Sequence, residues 1–305
     1  VSVIITTFNS AKFIVPAIKS VLQQVDVVIE IIIVDDCSDD FQMLQDQIAL
    51  LKDQVAISVR QPKQKGNANI SRNIGIGQAQ YPYIAFLDAD DTWNPKHLIS
   101  CIETIEDRKI DGCFSKVALM TNDSNEKSLP CYQDNADICE FIFNHNGIAV
   151  TSSLVIKTST LLDVNFDINL LKHQDWNFLI RFTNKYTLGQ SPYYGLNYTL
   201  STGSNMSASF NFSASINFMN NTLPTCWHAV FISSQLNKIL LKNKYEELLK
   251  LSNQIKRHYK LSLSTLGFKN LCIIQSAKNK ILFSALTLFF KILSRVKYTL
   301  RSCLK

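Results

Sequence analysis

The sequence predicts an α/β protein: a mostly parallel, Rossmann-like sheet flanked by helices and followed by a C-terminal helical segment. Three observations predict it. Apolar, β-branched runs alternate with segments of helical period through the first 120 residues. The intervening helices run to roughly 10–15 residues, the length that parallel crossovers need. From about residue 216 onward the chain reads as helices alone.

Val1–Thr7 (VSVIITT) is a β-branched run, and Asn9–Ser10 supplies a turn and a cap. Phe13, Ile14, Ala17, Ile18, Val21 and Leu22 then recur at the spacing of one helix face. Ile31–Val34 is a second apolar run ending at Asp35, Phe41–Leu51 is helical in period, and Val55–Val59 is a third strand. A helix over Ile70–Ala79 follows the turn-forming Gly66–Asn67. The fourth strand, Tyr83–Leu87, runs into Asp88-Ala89-Asp90-Asp91, after which Asn94-Pro95 supplies an N-cap and a proline at the first helical position. Beyond about residue 120 the alternation loosens. Thr121–Asp134 is polar and loop-like, Ile138–Phe143 a short helix and Ile148–Lys157 a strand. Asp175–Asn184 is helical, with Trp176, Leu179, Ile180 and Phe182 toward the core, and Ser201–Ser215 reads as a mobile loop. The expected division is a domain over 1–215 and a basic helical segment over 216–305.

Charge divides the chain in the same sense. Residues 1–235 carry 16 basic and 23 acidic side chains, a balance of −7, whereas residues 236–305 carry 15 basic side chains against Glu246 and Glu247, a balance of +13. With 46% hydrophobic residues the chain can bury a sizeable core, which excludes general disorder. Its eight cysteines form no CxxC pair and no metal-ligand spacing, and read as reduced thiols of a cytosolic protein. No signal peptide is evident. The chain opens at Val1 inside an apolar run, so a few residues are expected to precede it.

In a parallel sheet, ligands bind beyond the carboxyl ends of the strands. Three polar clusters fall there: Thr6–Asn9, Asp35–Asp40 and Asp88–Asp91. The carboxylates of Asp88, Asp90 and Asp91 repel one another, which a divalent cation relieves; the alternative is a solvated acidic turn capping the next helix. Asp35 and Asp36 either accept from a base or ribose or stand exposed beside an N-cap at Ser38 or Asp39. Arg72 faces a phosphate or pairs with these acids. Asp175, between Gln174 and Trp176, is either a general base or an acid at a helix N-terminus. Gly75-Ile76-Gly77 lies inside a helical pattern without a third glycine, so it is no dinucleotide fingerprint.

At these residues the chain resembles the family-2 glycosyltransferases of the GT-A fold. The matching stretches, in family order, are VSVIITTFN, SVLQQ, EIIIVDDCSDD, GNANISRNIGI, YIAFLDADDTWNPKHL and the weaker NFDINLLKHQDWNFLIR, together covering about residues 1–185. The resemblance implies an inverting hexosyl- or N-acetylhexosaminyl-transferase that uses a nucleotide-sugar, most often a UDP-sugar, with Mg²⁺ or Mn²⁺. It implies a glycan or lipid-linked acceptor in cell-surface polysaccharide synthesis. By the same resemblance Thr6, Phe8 and Asp36 bind uridine, Arg72 lies near the nucleotide, and Asp88 and Asp90 form a DxD pair. Asp90 is then the metal ligand, Asp88 lies nearer the ribose or sugar while sharing the metal, Asp91 shapes the sugar pocket, and Asp175 is the catalytic base. Gln174 departs from the family's usual Glu. Tyr198-Thr199-Leu200 before Ser201–Ser207 lacks the basic residues the family often has there, a role left to Lys63 or Lys65.

Outside the resemblance, Ile281–Phe290 is too short to span a bilayer, which needs about 20 apolar residues. On a helix, Lys280, Ser284, Thr287, Lys291 and Arg295 form one stripe edging an apolar surface, which suits an anionic membrane face. A helix packed on the body is the alternative, and no motif supports nucleic-acid binding. The expected location is cytoplasmic and peripheral at the inner face of the cell membrane. Competing readings are a catalytically weakened nucleotide-sugar-binding protein of the same fold and a nucleotidyltransferase.

Overall fold

The computed structural model describes residues 1–51, 55–120, 129–199, 211–241, 245–258 and 273. It divides into two compact units, Val1–Phe210 and Asn211–Lys305.

The first unit is built on one eight-stranded sheet. Its strands are β1 (Ser2–Thr7), β2 (Glu30–Asp35), β3 (Ile57–Arg60), β4 (Tyr83–Asp88), β5 (Thr92–Trp93), β6 (Gly112–Met120), β7 (Leu154–Lys157) and β8 (Leu188–Thr199), in the order β3-β2-β1-β4-β7-β6-β8-β5. The pairs β3–β2, β2–β1 and β1–β4 are parallel, as the alternation of strand and helix predicts. Beyond β4 the sheet becomes mixed: β7 runs antiparallel to β4 and β6, β8 runs parallel to β6, and β5 closes antiparallel on β8.

Helices cover both faces. Residues Ile14, Ile18 and Val21 of α1 (Ala11–Leu22), Leu44 and Ile48 of α2 (Phe41–Ala49) and Leu98, Cys101 and Ile105 of α4 (His97–Arg108) pack with Val3, Ile5, Ile31, Ile33, Ala85 and Leu87. Those strand residues alternate along β1, β2 and β4, so they share one face. On the other face Phe86 meets Phe166 edge-on at 5.2 Å, and Phe166 stacks on Phe178 of α6 (Gln174–Thr183) at 4.5 Å. There too α3 (Ala68–Ile76) lies so close to β1 that a Cβ on Gly75 would stand 2.5 Å from Ile4. That contact, not a phosphate loop, accounts for the glycine. The short α5 (Thr158–Leu161) follows β7.

The structure corrects several boundaries. α3 starts at Ala68, two residues earlier than expected, because Asn67 caps it by accepting from Asn69 N and Ile70 N. Asn94 does not cap α4, which begins at His97; its side chain is spent on β8, donating to Tyr194 O and accepting from Asn197 Nδ2. Over Ile148–Lys157 only Leu154–Lys157 is strand, and Thr151–Ser153 is a 3₁₀ turn. The short helix near Ile138 is a single π-type turn, Glu140–Asn144. Phe13, placed with the apolar face of α1, is exposed, with Lys12 Nζ 4.7 Å from its ring centre.

β6 and β8 have no counterpart among the sequence expectations; Pro192 and two glycines interrupt β8. Across from Ser115 the register slips: Phe114 pairs with Gln190 and Lys116 with Tyr194, while Val117 pairs with Leu196. Pro192 and Gly195 sit in these bulges, where a strand tolerates both residues.

The described part of the second unit is helical: α7 (Phe212–Asn221), α8 (His228–Leu241) and α9 (Tyr245–His258). Phe218 and Phe231 are buried against each other, ring centres 5.5 Å apart. The Lys280–Arg295 stripe and residues 201–210 lie outside the described residues, whereas 212–215, expected as the end of a loop, open α7 because Asn211 caps it by accepting from Ala214 N. No helix among the described residues is long and apolar enough to cross a membrane.

Candidate active site

The carboxyl ends of β1, β2 and β4 lie level, with Thr6 opposite Asp88 and Thr7 opposite Asp35. Parallel register therefore delivers the three polar clusters to one edge of the sheet.

At one end of that edge, Asp35 is fully buried and accepts from Ser38 N (2.9 Å) and Gln61 Nε2 (2.8 Å), so it fixes its own loop. Asp36 is 6% exposed. Its Oδ1 accepts from Gly66 N at 2.7 Å, and none of the described residues donates to its Oδ2. Phe8 is 39% exposed, and Lys65 Nζ lies 3.9 Å from its ring centre. Asn9 and Cys37, one just past each strand end, take left-handed backbone at φ 49° and 57°. The two loops are stitched together there: Asn9 N donates to Ser38 Oγ (2.8 Å), Asp39 N to Asn9 Oδ1 (2.8 Å) and Ala11 N to Asp40 Oδ2 (2.9 Å).

At the other end, Asp88 Oδ1 accepts from Thr6 Oγ1 (3.0 Å) and from Arg72 Nη2 (2.9 Å). Asp88 N donates to Ser152 Oγ at 3.1 Å. Arg72 spends its other amino group, Nη1, on Asn69 Oδ1 and Gln174 Oε1, both at 3.3 Å. Gln174 thus stands beside Arg72 as a neutral acceptor and leaves the guanidinium charge to Asp88. Thr151 Oγ1 donates to Asp175 Oδ1, which fixes the carboxylate that heads α6.

Crowding of acids shows in their proton affinities. Burial, then the charge of Asp88, pushes Asp91 up to about 7, against an opposing hydrogen bond from Ser152. Asp90 rises for the same two reasons, less its own backbone hydrogen bond. Asp175 also rises, burial outweighing the pull of Arg72 and of Thr151 in the other direction.

No three His, Cys, Asp or Glu side chains among the described residues converge on one point. The Asp88–Asp91 turn offers hard carboxylate oxygens, two of its acids holding protons more tightly than usual, and a divalent cation would relieve that repulsion. Such a set fits Mg²⁺ or Mn²⁺, which take one or two carboxylates and complete their shell with phosphate oxygens and water.

Of the residues singled out in the sequence, Thr6, Arg72 and Asp88 are directly bonded, and Asp90, Asp91 and Asp175 lie within electrostatic reach of Asp88. Phe8 and Asp36 form the other end of the edge, with Lys65 and Gly66 between them. Thr151 and Ser152 were not anticipated; the signal was a pair of hydroxyls closing the apolar run Ile148–Val150. Asn67, Asn69 and Asn73 were missed as well. Their amide Nδ2 groups donate to Ile168 O (2.8 Å), Asp167 O (2.6 Å) and Phe166 O (2.8 Å), strapping the segment before α6 to α3. Cys37, Cys101, Cys113, Cys131, Cys139 and Cys226 are free thiols.

Comparison with known proteins gives this arrangement a family. The model for "Glycosyl transferase family 2" matches residues 2–152, from β1 to the Thr151–Ser153 turn. The amylovoran biosynthesis glycosyltransferase AmsB of Erwinia amylovora is 31% identical over 189 residues, 59% of this chain and 62% of its own. The putative teichuronic acid biosynthesis glycosyltransferase TuaG of Bacillus subtilis is 32% identical over 124 residues, 40% of this chain and 48% of its own. The chain thus spans less than two thirds of the length of either relative. Among solved structures, S. aureus TarS 1–349 in complex with UDP-GlcNAc superposes with a TM-score of 0.69, covering 95% of this chain and 91% of that one at 20% identity, a likeness of fold. With the family match running through the strand ends that carry these acids, and relatives named as glycosyltransferases, residues 2–152 of the chain form a glycosyl transferase family 2 domain.

Proposed function

We propose that the chain is a metal-dependent, inverting glycosyltransferase that moves a sugar from a UDP-sugar to a hydroxyl of a glycan or lipid-linked acceptor. The observation that carries this reading is the placement of Asp175. Thr151 holds it within electrostatic reach of the Arg72–Asp88 pair, and burial makes it a better base than an ordinary carboxylate.

Phe8 and Asp36 bind the base, one by its ring face and the other by an open carboxylate oxygen. Thr6 and Arg72 hold Asp88 in place at the ribose and sugar. The buried guanidinium also supplies fixed positive charge beside the leaving diphosphate, where charge grows as the sugar departs. Asp90, with Asp88, holds the divalent cation, which supplies further neutralisation of that charge. Asp91 walls the sugar pocket. Asp175 takes the proton of the acceptor hydroxyl while its oxygen attacks the anomeric carbon from the face opposite the diphosphate, so the configuration inverts and no sugar–enzyme bond forms.

The relatives in amylovoran and teichuronic acid biosynthesis support a role in cell-surface polysaccharide synthesis. Such a substrate suits a cytoplasmic protein held at the inner membrane face, with the basic segment 236–305 as the attachment. The test is transfer from a panel of UDP-sugars with Mn²⁺, comparing wild type with Asp90→Ala and Asp175→Asn. Loss of roughly 100-fold or more in kcat for Asp175→Asn, with UDP still bound, is expected. Undiminished transfer in both variants would overturn the assignment. UDP binding without turnover over the whole panel would favour a weakened binding protein, a reading that Gln174 beside Arg72 supports.

A further inference from the structure

Lys65 is the cation left unexplained. Arg72 is committed to Asp88, Asn69 and Gln174, and Lys65 sits at the opposite end of the site. Its ammonium lies 3.9 Å from the Phe8 ring centre, over the surface where a base would stack. The next residue, Gly66, donates its N–H to Asp36 Oδ1 at 2.7 Å. One short stretch of backbone therefore carries the ammonium and also fastens Asp36, whose other oxygen none of the described residues engages.

We infer that Lys65 is a specificity-determining residue that reads the donor's base together with Asp36, a role that rests on the nucleotide-sugar reading above. The two groups have opposite hydrogen-bonding sense: a carboxylate oxygen accepts and an ammonium donates. Side by side they complement an imide edge, an N–H next to a C=O, which uracil presents. Cytosine presents an acceptor nitrogen and an amino group at the same positions, so both contacts turn repulsive or unsatisfied. In the free protein the ammonium rests on Phe8 and is held by the ring's negative face. An entering base takes over that face and displaces the ammonium to the rim, where the base's carbonyl lies.

The experiment is calorimetric titration of the full chain with UDP and with CDP, Mn²⁺ present, for wild type, Lys65→Met and Lys65→Arg. Wild type should bind UDP at least tenfold more tightly than CDP, the scale of one good donor–acceptor pair. Lys65→Met should lose about tenfold for UDP and nothing for CDP, and Lys65→Arg should restore most of the difference. Lys65 is exposed, so these variants are expected to fold, and equal melting temperatures would verify it. Equal weakening of UDP and CDP would mean that Lys65 merely attracts phosphate and would overturn the inference, as would no change in either. Failure of wild type to bind UDP would instead bring down the nucleotide-sugar reading itself.

Discussion

Arg72 and Asp88 form a 2.9 Å ion pair whose halves see different solvent: the Arg72 side chain is 5% exposed and that of Asp88 38%. The guanidinium is thus the buried anchor and the carboxylate the working surface. Arg72→Ala would leave Asp88 unbalanced beside Asp90 and Asp91, and should cost about 1–3 kcal/mol in urea unfolding, less than a fully buried pair because Asp88 is solvated. Arg72→Lys should recover little of the transfer rate, since one ammonium lacks the fork that spans Asp88, Asn69 and Gln174 together.

The proton affinity of Asp175 is open to tuning. Thr151→Val removes a hydrogen bond that lowers its pKa, and Gln174→Glu adds negative charge next to Arg72. Both changes should raise the Asp175 pKa further. A base acts only when deprotonated, so the acid limb of the kcat/KM–pH profile should move to higher pH in each variant. A limb that stays in place or moves to lower pH would remove Asp175 from the role of base.

Asp91 binds its proton more tightly folded than unfolded, its pKa rising from 3.8 to about 7. Its contribution is therefore fully present below pH 4 and is lost as pH rises toward 7. Asp91→Asn should raise the melting temperature at pH 8 and leave it nearly unchanged at pH 4. Mn²⁺ should narrow the gap at pH 8 by offsetting the same repulsion.

His97 makes the opposite case. It is fully buried beside Trp93, neither ring nitrogen has a partner among the described residues, and burial lowers its pKa to about 3. The unfolded chain takes up a proton near 6.5 that the folded chain refuses, so stability is full above that pH and declines as pH falls toward 3. His97→Leu should flatten this decline. Gly195→Ala should destabilise by about 1–3 kcal/mol at any pH, because a Cβ there would come within 2.3 Å of His97 Nδ1.

The asparagine straps between α3 and the segment before α6 should separate binding from chemistry. Asn73 exchanges two hydrogen bonds with Phe166, donating to its O (2.8 Å) and accepting from its N (2.9 Å). Asn73→Ala should lower kcat by displacing Asp175 while leaving UDP affinity, which the proposed function assigns to Phe8 and Asp36, within about twofold of wild type. Asn73→Asp keeps the acceptor half of the exchange and should lie between the two.

The parallel half of the fold was legible because β1, β2 and β4 are short apolar runs, each ending in a polar cluster. A strand buried on both faces needs the first, and a ligand edge leaves the second. β8 escaped because its bulges admit Pro192 and Gly195, residues that ordinarily argue against a strand. At the site the acids stood out, since clustered like charges near a buried strand are costly and invite explanation. Thr151, Ser152 and the three asparagines did not, because one hydroxyl or amide looks the same on a surface as in a strap. Only the 93 to 101 residues of chain between each asparagine and its acceptor carbonyl distinguish them, and such separation leaves no local pattern.

The strand order also sets a timetable for synthesis. The β3-β2-β1-β4 half is complete once residue 88 has left the ribosome, whereas β6 and β5 close on β8 only with residues 188–199. At ordinary translation rates the interval is about 5–20 s. Until β7 (Leu154–Lys157) emerges to pair with it, β4 waits as an open edge, with the acidic turn already made and Ser152, Thr151 and Asp175 still to come. A nascent chain of this design offers chaperones an unpaired strand beside a cluster of carboxylates, and the last third of the first unit is what withdraws that invitation.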